Sequence, residues 1–276
     1  MRPARAGDKD AVLAFCQNTF SWGDYIADAW DGWLTDGRGQ LLVGQVAGRV
    51  VGVIHLAFLE SGAAWMEGMR VHPGFRRQGV GSAMDSAARA LARERGAAIV
   101  RLVTSIKNIP AQKTLATQGY ACIAHFNEWE AEAAHGDRSS ARIATLSDAT
   151  GLASLWDTFF ARESSGLVPD PHWHWDPMTR PRLLGQIRAG HVRMADRGFA
   201  FLVSPDGNDA SGLSLQALAG DAKTMATLAR GARDEAHYRG YTQVEAILID
   251  HPRVNLAMER AGFLRAGGML VYEQSL

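Results

Sequence analysis

Met66-Glu67-Gly68-Met69-Arg70-Val71-His72-Pro73-Gly74-Phe75-Arg76-Arg77-Gln78-Gly79-Val80-Gly81-Ser82 is the stretch that decides the reading of this chain. An apolar run ends at Val71, a turn follows at His72-Pro73-Gly74, and Arg76 to Ser82 leads into an alanine-rich helical pattern. Glycines at 79 and 81 let consecutive backbone N–H groups point into one concavity with no Cβ in the way. The helix that starts there adds unpaired N–H donors and the positive end of its dipole. With Arg76 and Arg77 beside it, the loop reads as a cradle for a diphosphate.

Two other glycine loops are excluded. No Gly-Lys-Ser/Thr occurs, so there is no P-loop lysine. Met84 stands where a dinucleotide fingerprint needs Gly or Ala. The order strand, Val71-His72-Pro73, then Arg76-x-x-Gly79-x-Gly81 resembles the GNAT superfamily of acyl-CoA-dependent N-acyltransferases, whose signature is [RQ]-x-x-G-x-[GA] after a strand ending V-x-P. Asn108-Ile109-Pro110-Ala111, followed by Gln118-Gly119-Tyr120, is similar to the family's later N-x-x-A and x-G-[FY] segment. The resemblance covers residues 1–132. It implies acetyl-CoA as co-substrate and direct transfer to an amine within a ternary complex. It also implies a binding set of Met69, Val71, Arg76, Arg77, Gln78, Gly79, Val80, Gly81, Ser82 and Asn108. The backbone amides of Met69–Val71 are then expected to orient the thioester and polarise its carbonyl. For Asn108, a plain loop or N-cap role is the competing reading.

Acyl transfer to an amine needs a neutral nucleophile, and alkylammonium groups titrate near pKa ~10. Glu67 is the candidate base, because Glu67-Gly68-Met69-Arg70-Val71 resembles the E-G-x-x-V strand of aminoglycoside acetyltransferases in the family. Period-two alternation puts Glu67 and Met69 on one face, toward the expected cleft. A Glu67–Arg70 ion pair is the plainer alternative. The family's usual general acid is a tyrosine four residues before the Gly-aromatic pair. That position is Leu115 here, and Met258 in the second half. Water, Ser105 or Cys122 are the candidate replacements.

From Asp10 to Gly37 there is no Lys or Arg, yet Asp recurs at 10, 24, 28, 31 and 36 among Phe20, Trp22, Tyr25, Trp30 and Trp33. In the family this region walls the acceptor site. Trp22, Asp24, Tyr25 and Asp28 are the expected substrate contacts, since aromatics with carboxylates suit an organic cation. The alternative is that the aromatics form core and the aspartates serve caps and turns.

The chain has 276 residues, 47% hydrophobic, with a net charge of zero. That is enough for a full core in one large or two ordinary domains. Residues 1–137 carry 14 basic and 14 acidic side chains, so charge singles out neither half as a nucleic-acid or membrane-surface binder. Cys16 and Cys122 suit reduced thiols in a cytoplasmic protein. There is no apolar leader or run long enough to span a membrane. No metal is expected, because His172-x-His174 lacks further ligands. The Pro-framed aromatic segment 169–177 is read as a loop packing on the other half or on a partner subunit, which leaves a homodimer open.

The chain also resembles itself. Asp8, Val12, Phe15 and Phe20 recur as Asp148, Leu152, Leu155 and Phe160, and Arg95-Gly96 to Gly119-Tyr120 recurs as Arg239-Gly240 to Gly262-Phe263. The expected architecture is α/β (α+β), two tandem domains each with a mixed, mostly antiparallel sheet flanked by helices. The expected domains are 1–132 with the acyl-CoA site, a linker 133–140, and 141–276 as a copy that has lost the cradle. There Ala219-Gly220-Asp221-Ala222 replaces the glycine loop, and Asp221 would repel a diphosphate.

In the first half, helices are expected at 8–19 (Asp8 as N-cap), 25–34, 79–95 and 109–118. Strands are expected at 40–47, 50–60, 63–71, 98–105 and 121–131. Val80, Met84, Ala87 and Leu91 form the inner face of the third helix. In the second half, helices are expected at 149–162, 221–239 and 252–261, and strands at 191–204, 211–219, 243–249 and 264–274. The functional expectation is an N-acetyltransferase acting on a small primary amine: an amino acid, a polyamine or an aminoglycoside-like compound. Acetylation of a protein N-terminus or lysine, and a non-catalytic acyl-CoA sensor, are the alternatives.

Overall fold

The computed structural model describes residues 1–17, 19, 23–136, 141–159, 166–204 and 212–276. The described chain divides into two compact units. One comprises Met1–Leu102, Thr114–Ala121 and Glu273–Leu276; the other comprises Val103–Lys113 and Cys122–Tyr272. No helix of the described residues is long and apolar enough to cross a membrane.

The first unit takes its elements from β1 (Arg2–Pro3), α1 (Lys9–Cys16), α2 (Ile26–Thr35), β2 (Gly39–Val46), β3 (Arg49–Phe58), β4 (Ala64–Val71), α3 (Val80–Glu94) and the start of β5 (Ile99–Ser105). The end of α4 (Ile109–Thr117) joins them. The sheet order is β1-β2-β3-β4-β5. Its pairs are antiparallel except β4 with β5. Val12, Phe15 and Cys16 of α1 and Ile26 and Trp30 of α2 pack on Leu41, Val43 and Val53 of the sheet. Trp30 is therefore core, while Phe20 and Trp22 lie outside the described residues.

Two local expectations are corrected. Asp8 stands at the N-cap of α1 as expected, but its side chain makes no cap bond there. It ends a short 3-10 turn and takes two hydrogen bonds from the Arg2 guanidinium and one from Arg5 N. Those bonds, led by Arg2, hold its carboxyl below the usual carboxylate range. The inner face of α3 is Met84, Asp85, Ala88 and Ala92 rather than the line through Ala87 and Leu91. Hydrophobicity could not place Asp85 inside, because its burial depends on a distant donor. Tyr120 Oη donates to Asp85 Oδ1 at 2.7 Å, and Arg89 Nε donates to Oδ2 at 2.8 Å. Burial and the Asp85 charge push the Tyr120 phenol far up, so it stays a donor. Tyr120→Phe should cost about 1–3 kcal/mol, the penalty for a buried acceptor losing its partner. Urea unfolding reads this directly as a lower midpoint with an unchanged slope.

The second unit contains β6 (Ala121–Glu132), β7 (Arg142–Ile143), α5 (Ala149–Phe159), β8 (Leu167–Pro169), β9 (Trp175–Pro177) and α6 (Arg180–Arg188). There follow β10 (Val192–Ala195), β11 (Gly198–Val203), β12 (Gly212–Ala219), α7 (Ala222–Tyr238), β13 (Gln243–Ile249), α8 (Pro252–Arg260) and β14 (Leu264–Ser275). Its order is β14-β6-β13-β12-β11-β10-β7, with β12 and β13 parallel. This unit thus also has a β-meander leading into a single parallel pair. The expected strand 191–204 is a hairpin, β10 with β11, turned at Asp196 with φ +46°.

The segment 169–177 is also ordered by its own unit. β8 and β9 pair, Asp170 accepts from His172 N and His174 N, and buried Trp175 meets the Phe126 ring at 5.7 Å. Trp173 alone of that segment's tryptophans is turned outward, 44% exposed.

Candidate active site

β4 carries the site, and one irregularity sets its geometry. Val53 of β3 faces Arg70, and His55 faces Glu67. Two residues of β3 thus span three of β4, so Gly68 and Met69 together oppose Ile54, a β-bulge. Gly68 has φ +64°, and a Cβ on it would lie 2.5 Å from the Trp33 ring. Only glycine fits both the conformation and the space.

The bulge corrects the alternation expected from the sequence. Glu67 and Arg70 share the face of β3 that carries Val53 and His55, the side of α1 and α2. Met69 is on the other side, with α3: a Cβ at Gly81 would lie 3.8 Å from Val71 Cγ2 and 3.9 Å from Met69 Sδ. Glu67 and Met69 therefore do not share a face.

Beyond the bulge the strand opens an edge. β4 and β5 pair only at Ala64↔Val100 and Trp65↔Arg101. From Met66 to Val71 the β5-side edge of β4 has no strand partner among the described residues.

The cradle follows. Arg76 Nε donates to Val71 O at 3.0 Å and Gln78 Nε2 to Gly74 O at 2.9 Å, which folds the loop back on the strand end. Gly79 caps α3 with φ +80°, makes no side-chain cap bond, and has nothing within 4 Å of where a Cβ would stand. Val80, Gly81 and Ser82 form the first turn of α3, and Arg76, Arg77, Gln78 and Ser82 are exposed. These residues fit a diphosphate: open space, helix N–H donors, and two cations within the loop.

α7, which follows β12 in the second unit, starts differently. Its N-cap is Asp221, whose carboxylate accepts Thr224 N at 2.8 Å. That bond holds the Asp221 carboxyl below the usual range. The helix start there is satisfied by its own chain.

Glu67 is 14% exposed, and its Oε1 lies 2.8 Å from His55 Nδ1. Arg70 makes a two-point pair with Asp24, Nε to Oδ2 at 2.7 Å and Nη2 to Oδ1 at 3.0 Å. Asp24 also accepts Ile26 N at the start of α2. Its carboxylate is thus engaged within the fold. Tyr25 is exposed at its edge, with the Arg70 guanidinium 5.2 Å from its ring centre and Trp33 edge-on at 5.9 Å. Burial pushes its phenol up.

Asp28 is exposed on α2, and Asp31 pairs with Lys9 at 2.8 Å. Trp22 lies outside the described residues. Asn108 belongs to the second unit, where Oδ1 accepts Ala111 N at 3.3 Å and Nδ2 donates to Thr104 Oγ1 at 3.2 Å, an N-cap pattern. Ser105 and Cys122 are in that unit too. Leu115, where the family tyrosine would stand, is 7% exposed, and Met258 is fully buried.

Sequence reasoning missed His55 and the partnership of Asp36 and Trp33 with it. One signal was available: His55 is the only ionisable residue in the run Val50-Val51-Gly52-Val53-Ile54-His55-Leu56-Ala57-Phe58. A polar group inside such a strand must find partners.

A splayed strand pair, a bulge and a glycine-capped helix start lie together in a mixed α/β fold. Residues 11–120 match the model of the acetyltransferase (GNAT) family. The fold match extends over the whole chain. A GCN5-related N-acetyltransferase from Sphaerobacter thermophilus is similar with a TM-score of 0.67 at 14% identity, covering 99% of this chain and 94% of that one. A tandem GNAT protein from the clavulanic acid biosynthesis pathway has a TM-score of 0.58 at 19% identity, covering 99% and 97%. A putative acetyltransferase from Thermoplasma acidophilum has a TM-score of 0.57 at 15% identity, covering 100% and 93%. No curated protein matches the sequence.

Proposed function

We propose that this protein transfers an acetyl group from acetyl-CoA to the primary amine of a small molecule, such as an amino acid, a polyamine or an aminoglycoside-like compound. The observation that carries this reading is Glu67. It is a partly buried carboxylate held by His55 on β4, just ahead of the bulge and the open strand edge, with the cradle at the far end of the same strand. Arg76, Arg77 and the N–H groups of Gly79 to Ser82 bind the diphosphate. The backbone of Met69–Val71 holds the thioester arm and polarises its carbonyl.

Glu67 takes a proton from the amine as the N–C bond forms. The C–S bond then breaks, and its electron pair leaves on sulfur. A thiol of ordinary pKa ~8.5 leaves partly as thiolate, so the missing tyrosine is not essential. Tyr25 lines the acceptor side. Asp28 and Trp22 are assigned there from the family pattern, and Asp24 acts there indirectly, by fixing Arg70.

The duplication belongs to the same reading: residues 1–132 and 141–276 are two copies joined by a linker at 133–140. The repeated order of a meander leading into one parallel strand pair supports it. The tandem description of one whole-chain structural neighbour supports it as well. The second copy has lost its cradle to Asp221. Isothermal titration with acetyl-CoA should therefore give one site per chain, and two sites would overturn the argument from Asp221.

Buried, apolar Leu115 and Met258 favour one competing reading, a sensor that binds acyl-CoA without turnover. A panel of primary amines assayed for free thiol release from acetyl-CoA decides between them. Saturable thiol release with a small amine supports the enzyme. Tight acetyl-CoA binding with no release across the panel supports the sensor.

A further inference from the structure

Glu67 is held from behind by a chain of groups that extends to the surface. His55 is 2% exposed, with Nδ1 2.8 Å from Glu67 Oε1 and Nε2 3.5 Å from Asp36 Oδ2. A carboxylate only accepts, so the Nδ1 proton is donated to Glu67. The imidazole plane is set by Trp33, stacked on it at 4.8 Å and 9°. Asp36 is set in turn by Arg38 N, which donates to Oδ1 at 2.8 Å, and it is 29% exposed.

Two glycines clear the space. A Cβ on Gly39 would lie 2.2 Å from Asp36 Oδ2 and 2.6 Å from His55 Nε2, and one on Gly68 would strike Trp33. Three side chains, Glu67 of β4, Trp33 of α2 and Asp36 just after it, are thus fitted around one ring, more than a solvated surface contact needs.

We infer that His55 is a positioning residue for acetyl transfer. Its Nδ1–H holds one oxygen of Glu67 and so aims the other at the acceptor amine, while Trp33, stacked on the ring, holds it in place and Asp36 lies beyond Nε2. The inference rests on Glu67 as the base. The arrangement follows the logic by which a general base is oriented by a group behind it. Among the described residues, the charged and titratable groups around Glu67 include His55 from β3, Asp36 beyond it after α2, the Asp24–Arg70 pair, and Tyr25.

His55→Phe keeps a flat ring against Trp33 and removes the donor. His55→Asn removes the ring and keeps an N–H near the Nδ1 position. Both are compared with wild type in the full chain, using the best amine of the panel. Expected for His55→Phe is a fall in kcat of roughly 10- to 100-fold, the size of one lost hydrogen bond to a charged group. Acetyl-CoA affinity should be unchanged. The acidic limb of the pH profile should move to higher pH, because a carboxylate that loses a donor holds its proton more readily. His55→Asn should recover most of kcat and the wild-type limb. The Glu67→Gln/His55→Phe double variant should be no slower than Glu67→Gln alone.

Turnover of His55→Phe within twofold of wild type overturns the inference. So does His55→Asn as slow as His55→Phe with an unmoved acidic limb, since that pattern marks a purely structural ring. The two levels separate cleanly. If Glu67→Gln is itself fully active, the assignment of Glu67 fails first. If Glu67→Gln is slow and His55→Phe is not, only the positioning role fails.

Discussion

Glu67→Gln should lower kcat/KM for the best acceptor by roughly 10²–10⁴, the range general base catalysis supplies. Glutamine keeps the shape and accepts from His55 through its carbonyl, but it cannot take a proton. Acetyl-CoA affinity should stay near the wild-type value, because the cradle starts nine residues further on, at Arg76. The acidic limb of the pH–rate profile should change with it. Arg70 gives the contrast. Its two-point bond to Asp24 ties β4 to the start of α2, so Arg70→Ala should lower stability before it alters the chemistry. Wild-type turnover by Glu67→Gln would refute the base role and leave the aspartates of residues 24–36 as the candidates.

Gly79→Asp should weaken acetyl-CoA binding by more than roughly 10²-fold, about 3 kcal/mol. The substitution gives α3 the N-cap residue that α7 already has. In α7, Asp221 spends its carboxylate on Thr224 N at 2.8 Å. A carboxylate at position 79 would occupy the same kind of donor and set a negative charge against the diphosphate. The fold should survive, because nothing lies within 4 Å of the new Cβ and Asp is among the residues that tolerate a left-handed backbone. Gly81→Asp should act in the same direction within the first turn. Titration calorimetry with acetyl-CoA measures both, and unchanged affinity in either sinks the cradle assignment. Far-UV circular dichroism separates lost binding from lost fold.

The parts of the molecule that were legible in the sequence are those whose physics is local. Arg76 to Ser82 reads as a cradle because glycine at 79 and a helix start are properties of neighbouring residues. The observed Gly79 φ of +80° is what such a loop requires. The loss of the glycine loop at Asp221 is likewise legible from its own few residues, although its service as the N-cap of α7 appears only in the structure. Helices such as Val80–Glu94 and Ile109–Thr117 end within a residue of their expected bounds, because their stops, Gly96 and Gly119, are written beside them.

What only the tertiary structure decided are features that depend on which strands meet. The bulge at Gly68 is invisible to a period-two count, yet it moves Met69 to the face opposite Glu67. Asp24 and Arg70 are 46 residues apart, and only the fold brings them into a two-point pair. Tyr120 and Asp85 are 35 residues apart, and their bond let a carboxylate into the inner face of α3. His55 went unread in an apolar strand, and only the fold brings Glu67, Asp36 and Trp33 around it. Backbone conformation near a glycine or a cap is set by sterics over a few residues, so sequence carries it. The partner of a buried charge is set by sheet register and helix docking, and those exist only once the chain has folded.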